Sequence, residues 1–133
     1  MILGTVTADH EAVIHLTVRG PRDQERHVEA VIDTGFNGWF SLSPELIASL
    51  GLPWRRRGRA QLADGSESVF DIYEGIVEWD GRPHRVVIDQ ASTAPLVGMS
   101  LLHGHELNAE VRPGGRVTVK ILPPTATAGE PVQ

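Results

Sequence analysis

The sequence predicts an all-β domain. Three pairs of short segments rich in β-branched residues are each separated by a few turn-forming residues, which is typical of β-hairpins. Only two short segments carry helix signals, and 133 residues suffice for one hydrophobic core but not for two. We therefore expect one small β-domain over residues 1–122, followed by a disordered tail rich in Pro, Thr and Ala at residues 123–133.

Each predicted hairpin consists of two apolar segments around a turn that contains Gly with Pro or Asp. The predicted strand pairs are residues 12–18 with 27–32, residues 69–78 with 85–88, and residues 110–111 with 117–122. The dipeptide Asp80-Gly81 between the second pair favours a tight hairpin, because both residue types tolerate a positive φ.

Two helical segments interrupt the strands. Residues 43–51 have Ser43 as an N-cap, Pro44 at the first helical position and Gly51 as a stop, so both helix ends carry a physical signal. Residues 98–104 predict a single helical turn, kept short by a Gly at each end.

The composition argues against several classes of function. Lys and Arg number 12 against 17 Asp and Glu, and a formal net charge of -5 disfavours binding to a phosphate backbone. The absence of cysteine excludes disulfides, thiolate nucleophiles and cysteine-ligated metal sites. No apolar run is long enough to cross a membrane, and the N-terminus lacks the pattern of a signal peptide. We expect a cytoplasmic protein with no nucleic-acid and no membrane partner.

One tripeptide is a candidate for chemistry. Asp33-Thr34-Gly35 directly follows the apolar segment 29–32. By itself it could be an ordinary turn, because Asp, Thr and Gly are all common where a strand ends. Its significance depends on the rest of the sequence.

A second pattern lies about sixty residues downstream, where Leu96, Val97 and Gly98 enter the second helical segment. Together the two patterns resemble the paired active-site signatures of aspartic peptidases. Between them, residues 62–66 resemble the tip of the β-hairpin flap that in this family folds over bound peptide. The resemblance points to the single-domain, retroviral-type (retropepsin-like) branch, including its bacterial members.

The resemblance extends over residues 12–122 and implies a closed retropepsin-like (acid protease) β-barrel with a flap hairpin and one or two short helices. It also implies an aspartic-type endopeptidase that hydrolyses peptide bonds in an extended peptide or protein substrate. The implied catalytic residues are Asp33, Thr34 and Gly35, with Thr34 fixing the loop by hydrogen bonding. The implied substrate-binding residues are Phe36, Leu62, Ala63, Asp64, Gly65, Ser66, Leu96, Val97 and Gly98.

The chemistry of such a site needs two carboxyl groups. One carboxylate takes a proton from water, and one carboxylic acid gives a proton to the carbonyl oxygen or to the leaving nitrogen. Two neighbouring aspartates achieve this because like charges cannot both ionise, so the pair shares one proton. This chain has one Asp-Thr-Gly and no Asp-Ser-Gly. We therefore expect a twofold homodimer that pairs Asp33 with its symmetry mate, without a metal or an organic cofactor.

Two positions depart from the family pattern. Phe36 stands where many relatives have a small residue, and it either narrows the space near the aspartate pair or points into the core. Met99 stands where viral members carry an Arg that helps to hold the dimer. By analogy with the family, the terminal strands 1–7 and 117–122 are expected to contribute to the dimer interface.

Two other functions stay open from the sequence. The same fold could serve as a catalytically weak or inactive dimeric peptide-binding or regulatory module that keeps the Asp-Thr-Gly loop for structural reasons. The chain could also be an unrelated small β-barrel in which the motif occurs by chance.

Two charged clusters have less specific interpretations. His103 and His105, followed by Glu106, could ligate a metal, but no third group of ligands accompanies them, which favours surface histidines. The basic run at residues 55–59 could contact nucleic acid, but in an acidic chain it more simply predicts the solvated edge of a sheet, where positive charge discourages further strand pairing.

Overall fold

The computed structural model of the protein describes residues 1–124. Within these residues ten strands and two helices follow one another along the chain. They are β1 (Ile2–Val6), β2 (Ala12–Arg19), β3 (Glu25–Ile32), β4 (Phe40–Leu42), α1 (Pro44–Leu50), β5 (Trp54–Gln61), β6 (Glu67–Trp79), β7 (Arg82–Gln90), β8 (Leu96–Val97), α2 (Met99–Leu102), β9 (His105–Ala109) and β10 (Arg116–Ile121). The predicted tail at residues 123–133 lies outside the described residues from position 125 onward.

Six of the strands close into a barrel. Their order around the barrel is β2, β3, β8, β4, β7 and β6, and β6 returns to β2 by pairing residues 76–78 with residues 17–19. On one side β1, β10 and β9 extend the sheet from β2, and on the other side β5 pairs with β6. The prediction of an all-β barrel with a hairpin and one or two short helices is therefore confirmed.

The first two predicted hairpins are present with slightly longer strands. In β2, Ile14, Leu16 and Val18 are buried while His15 is exposed, which is the alternation of a strand with one face in the core. The turn between β6 and β7 consists of Asp80 and Gly81 alone, with φ of 51° and 80°. Two positive φ angles match the twist of the flanking strands, which is why Asp-Gly is favoured there.

The third hairpin differs from the prediction. The strand preceding the turn is β9, which ends at Ala109, so the assignment of residues 110–111 to a strand is wrong. The turn begins at Glu110, whose carbonyl oxygen accepts a hydrogen bond from the Arg112 N–H at 2.9 Å and lies so close to Gly115 that a β-carbon there would be 1.8 Å away. Gly114 in the same turn has a φ of 79°, a conformation that favours glycine.

Both helices lie where the sequence predicted them. The Ser43 side chain accepts a hydrogen bond from the backbone N–H of Leu46 at 3.3 Å, and Gly51 ends α1 in the left-handed conformation at φ 60°. Ile47 and Leu50 bury one face of α1 against the barrel. Within residues 1–124, neither helix has the length and hydropathy needed to cross a membrane.

The basic run lies on an edge strand, as predicted. β5 is the last strand in the sheet order, and its arginines are exposed. Three of them pair with acidic residues of β6: Arg55 with Glu74, Arg57 with Asp71 at 3.7 Å, and Arg59 with Glu67 at 3.6 Å. These exposed pairs each contribute little stability, but the charges keep the edge solvated.

Two parallel pairings lie at the centre of the barrel. β8 runs parallel to β3 and antiparallel to β4, and β4 runs parallel to β7. Phe40, Leu42, Ile88 and Val97 on these strands are fully buried and form the middle of the hydrophobic core. This arrangement brings the ends of β3 and β8 together at one edge of the barrel.

Truncation of Leu42 tests the position of the core. Leu42 is fully buried, so Leu42→Ala is expected to lower the free energy of unfolding by about 2–5 kcal/mol through lost burial and a cavity. Leu62 is 49% exposed on the turn between β5 and β6, so Leu62→Ala is expected to change it by less than about 0.5 kcal/mol. Urea denaturation at one protein concentration, followed by circular dichroism, compares them. Equal losses would contradict this assignment of the core.

Candidate active site

The Asp-Thr-Gly loop begins where β3 ends. The backbone N–H of Asp33 donates to the carbonyl oxygen of Val97 at 2.9 Å, which continues the parallel pairing of β3 with β8 by one residue. The loop therefore leaves the barrel beside the end of β8. Asp33 is partly exposed, and Thr34 and Gly35 are exposed.

The Asp33 carboxylate is oriented by its own loop. Its Oδ1 atom accepts a hydrogen bond from the backbone N–H of Gly35 at 2.9 Å, and the Asp33 carbonyl oxygen accepts one from Phe36 N–H at 3.1 Å. This is the local hydrogen bonding by which Asp stabilises a turn. No hydrogen bond found in residues 1–124 involves the Thr34 hydroxyl, so within the single chain the loop is held by the other groups.

The loop is tied to the start of α2 by a second set of hydrogen bonds. The backbone N–H of Met99 donates to the Phe36 carbonyl oxygen at 2.8 Å, and that of Ser100 donates to the Gly38 carbonyl oxygen at 3.1 Å. The Ser100 hydroxyl donates to the carbonyl oxygen of Asn37 at 2.6 Å. The two sequence patterns, sixty residues apart, are thus in direct contact.

Gly98 has no space for a side chain. A β-carbon at Gly98 would lie 2.1 Å from the Gly38 carbonyl oxygen and 2.8 Å from the Phe36 ring. The Gly98 backbone N–H also donates to the Trp39 carbonyl oxygen at 3.0 Å. The close approach of these two backbones explains why the downstream pattern ends in Gly.

The Phe36 ring covers the two glycines. A β-carbon at Gly38 would lie 2.5 Å from this ring, so Phe36 is packed against Gly38 as well as Gly98. The residue is half-buried, and one side of it lines an open cleft. Phe36 does not belong to the hydrophobic core, and it lines the cleft, whereas Asp33 itself does not line it.

The cleft lies between the loop and the β5–β6 hairpin. It has a volume of about 510 Å³. Its walls are formed by residues of the loop, β4, β5, β6, β7 and the segment leading into β8: Phe36, Ser41, Ala60, Ser68, Val69, Phe70, Asp71, Asp89, Gln90, Ala91, Ser92 and Leu96. Its walls mix apolar and polar side chains, which is typical of ligand-binding clefts.

The β5–β6 hairpin extends beyond the barrel. Residues 67–71 of β6 pair only with β5, since pairing with β7 starts at Ile72. At the tip, the Asp64 carboxylate accepts hydrogen bonds from the Ser66 N–H at 2.9 Å and from the Ser66 hydroxyl at 2.5 Å. These bonds lower the pKa of the exposed Asp64 carboxyl, the bond from the Ser66 side chain having the larger effect.

The predicted substrate-binding residues fall into three groups. Phe36 and Leu96 line the cleft. Residues 62–66 form the exposed tip of the hairpin and do not line the cleft. Val97 and Gly98 are buried beneath the loop, where Val97 belongs to the core. The structure thus brings the loop, Leu96 and the wall of the hairpin together, with the tip further out.

Asp89 is a cleft residue that the sequence analysis did not single out. Burial raises the pKa of its carboxyl above the ordinary value of 3.8, and the charge of the nearby Arg56 lowers it by a smaller amount. The sequence signal that could have found Asp89 is its position directly after the apolar run 86–88. In the structure, Val86 and Ile88 of this strand are buried. The face of the barrel on which that carboxylate lies depends on the pairing of β7 with β4 and β6.

A second depression of about 530 Å³ lies on the other side of the loop, between Asn37 and α2. Trp39, Met99 and His103 are among its lining residues. His105 lies there too, and its Nε2 atom accepts a hydrogen bond from the indole N–H of Trp79 at 3.1 Å, so this nitrogen already has a partner. Among residues 1–124, no group of three or more His, Cys, Asp or Glu side chains has an arrangement suited to a metal ion.

Comparison with known proteins shows a likeness at the level of structure. No protein-family model matches the sequence, and no curated protein matches it. Among solved structures, the chain is similar to EIAV protease complexed with the inhibitor HBY-793, with 14% sequence identity and a TM-score of 0.48 over 69% of this chain and 85% of that one. A likeness of this size carries no argument about activity. The functional argument therefore depends on the residues of this chain.

Replacement of Asp89 tests whether its ionised carboxylate destabilises the fold. Because the pKa of this carboxyl is higher in the folded chain than in the unfolded chain, its ionisation destabilises the fold above that pKa, and the penalty disappears below the unfolded value of 3.8. Asp89→Asn is therefore expected to raise the melting temperature at pH 7, with a gain that shrinks as the pH falls toward 3.8.

The matched control is Asp71→Asn. The Asp71 carboxylate also lines the cleft, but it accepts a hydrogen bond from the Trp54 indole at 3.1 Å and lies 3.7 Å from the Arg57 guanidinium. Its removal is expected to give no gain in melting temperature. Differential scanning fluorimetry from pH 4 to 7 compares the variants, and a gain for Asp89→Asn that grew with acidity would contradict the assignment.

Proposed function

We propose that this protein is an aspartic endopeptidase of the retropepsin-like type that acts as a homodimer. The observation that carries the proposal is the loop at the end of β3. There a partly exposed Asp33 carboxylate is oriented by the Gly35 N–H, the loop is tied to Gly98 and α2 by backbone hydrogen bonds, and Phe36 of the same loop lines an open cleft. A carboxylate held by hydrogen bonds on a loop that borders a cleft suits general acid–base hydrolysis.

The chemistry uses water and two carboxyl groups. Water held between the two Asp33 side chains attacks the peptide carbonyl carbon, and one carboxylate takes the proton that water loses. The other carboxyl group, which is protonated, gives its proton to the carbonyl oxygen. When the tetrahedral intermediate collapses, the C–N bond breaks, the protonated carboxyl group gives its proton to the leaving nitrogen, and a hydroxyl of the intermediate returns one proton to the other carboxylate, so the pair again shares one proton. Each charge that develops on the substrate therefore has a proton donor or acceptor beside it.

The second carboxyl group comes from a second copy of the chain. The single Asp-Thr-Gly supplies one carboxylate, and a twofold axis through the loop duplicates it. Thr34 and Gly35 are exposed and leave room for the approach of another loop. Beside them, Trp39 and Met99 are 41% and 46% exposed, so apolar surface flanks the proposed contact.

The terminal strands are proposed to contribute to this contact through exposed side chains. β1 lies between β2 and β10, and β10 lies between β1 and β9, so both edges are paired within the chain at residues 4–5 of β1 and residues 117–119 of β10. Leu3 and Ile121, near the outer ends of these strands, are 61% and 70% exposed. These side chains are available to a partner.

Substrate binding is proposed along the cleft. An extended peptide would contact Phe36 and Leu96 on the barrel side and the inner wall of the β5–β6 hairpin on the other. The tip at residues 62–66 extends beyond this wall and is proposed to cover the bound peptide as a flap. Val97 and Gly98 would then act from below, by holding the loop against α2.

Replacement of Asp33 tests the catalytic proposal. Asp33→Asn keeps the size of the side chain and removes its proton chemistry, so cleavage of a random octapeptide pool is expected to fall by about 100-fold or more between pH 4 and 7. Mass spectrometry of the products measures this loss. Undiminished cleavage by the variant would refute the proposal, and no cleavage by the wild-type protein would favour the peptide-binding module of the same fold.

A mixing experiment tests whether two subunits share one site. When equal amounts of wild-type and Asp33→Asn protein exchange subunits at random, about half of the wild-type subunits pair with a variant, so cleavage is expected to fall to about half that of the same wild-type protein alone. Subunits that act independently would keep their full activity. Mixtures with a larger excess of the variant sharpen the difference.

Replacement of Met99 tests the proposed contact surface. Met99→Asp places a charge in the apolar surface beside the loop and is expected to weaken dimerisation by at least about tenfold, with a parallel loss of cleavage at low protein concentration. Val111→Asp is the control, because Val111 is 70% exposed in the β9–β10 turn. Analytical ultracentrifugation measures both, and equal dissociation constants for the two variants would rule out this surface.

A further inference from the structure

Asp89 stands on the wall of the cleft, beside the candidate catalytic loop. It lies near the end of β7, paired with Ser41 of β4 and with Ile72 of β6. A β-carbon at Gly38 would be 3.3 Å from the Asp89 Oδ2 atom, so the carboxylate is directly adjacent to the loop that carries Asp33. The Phe36 ring packs against the same glycine. The charge and the aromatic surface are therefore neighbours in one part of the cleft.

The Asp89 carboxylate has no partner within the described chain. In residues 1–124 it takes part in no side-chain hydrogen bond and in no ion pair, although the residue is half-buried. Every fully buried side-chain nitrogen or oxygen in the same residues does have a partner. The Asp89 oxygens therefore remain open to the cleft rather than being sealed in the protein.

The other charges near the cleft are engaged or lie outside it. Asp71, the second carboxylate of the wall, accepts a hydrogen bond from the Trp54 indole and faces Arg57. Arg56 on the edge strand β5 influences Asp89 through its charge but is exposed and forms no ion pair with it in the described part of the chain. Of the two carboxylates that line the cleft, Asp89 is the one free to meet a cation from a ligand.

Asp89 is also within range of a peptide bound at Asp33. From β3 to β7 the barrel wall crosses β8 and β4, which is three strand spacings, or about 14–15 Å along the wall. An extended peptide rises about 3.4 Å per residue. A long side chain within about four residues of the cleaved bond can therefore place its end group on Asp89 while the backbone passes Asp33.

We propose that Asp89 selects peptide segments that carry Lys or Arg within about four residues of the cleaved bond, on the side of the cleft formed by β7. The proposal rests on the peptidase function proposed above and assigns its substrate class. The aliphatic stem of Lys or Arg packs on the apolar wall that includes Phe36, Phe70 and Leu96, and the cationic end pairs with the carboxylate. An apolar side chain in the same place would remove water from Asp89 without giving it a partner, which disfavours it.

The test uses octapeptide pools in which one position at a time is Lys, Arg or the uncharged isostere norleucine, with the other positions randomised. Wild-type protein at pH 7 is expected to cleave the Lys and Arg pools about tenfold faster than the norleucine pool at one or two positions on each side of the cleaved bond, because the twofold axis of the dimer duplicates Asp89. In Asp89→Asn the ratio of the cationic pools to the norleucine pool is expected to fall to about one. Asp71→Asn is the matched control and is expected to retain the ratio.

If wild-type protein cleaves the cationic pools no faster than the norleucine pool at any position, the proposal is overturned. It is also overturned if the preference for the cationic pools survives in Asp89→Asn, or if Asp71→Asn abolishes it to the same extent. A second readout separates this outcome from failure of the proposed function. Immobilised Asp33→Asn protein, with and without Asp89→Asn, is exposed to the same pools, and retained peptides are counted by mass spectrometry. If the wild-type protein cleaves nothing, the peptidase proposal fails, and the retention ratio alone supports or refutes the role of Asp89.

Discussion

The parallel pairing of β3 with β8 is the interaction on which the rest of the site depends. Parallel neighbours end at the same edge of a sheet, so the Asp33 loop and the Gly98 segment emerge side by side. The hydrogen bond from Asp33 N–H to the Val97 carbonyl oxygen extends this pairing into the loop. Close packing of Gly98 against the Gly38 carbonyl oxygen holds the two segments together. Any side chain at Gly98 would separate the two segments, because both contacts are made by backbone atoms.

The loop that carries Asp33 and the outer part of the β5–β6 hairpin differ in how many strands they are hydrogen-bonded to. The loop is held by β3, β8 and α2 through backbone hydrogen bonds. The outer part of the β5–β6 hairpin has a single pairing, between β5 and residues 67–71. Segments with few partners open at lower free energy than the core of a fold, so the cleft has one rigid wall and one more easily displaced wall. That combination suits a site that must admit an extended chain and then enclose it.

The elements with strong local signals were predicted well, and those defined by distant contacts were not. The first helix has a cap at each end, and the Asp80-Gly81 turn needs two positive φ angles, so both could be assigned from neighbouring residues. The strand assigned to residues 110–111 was misplaced because β9 is defined by its pairing with β10, which ends at Ala109. That register is set by the pairing of the two strands, and the propensities of residues 110–111 do not express it.

The sequence by itself determined the all-β class, the two helices and the loop that carries Asp33, because periodicity, turn residues and helix caps act over a few neighbouring positions. Only the tertiary structure decided which side chains share the cleft. Asp89 lies beside Gly38 and shares the cleft with Phe36 because β7 pairs with β4, and Val97 is buried because β8 inserts between β3 and β4. The register between distant strands sets the face on which a side chain lies, and that register depends on packing of the whole barrel.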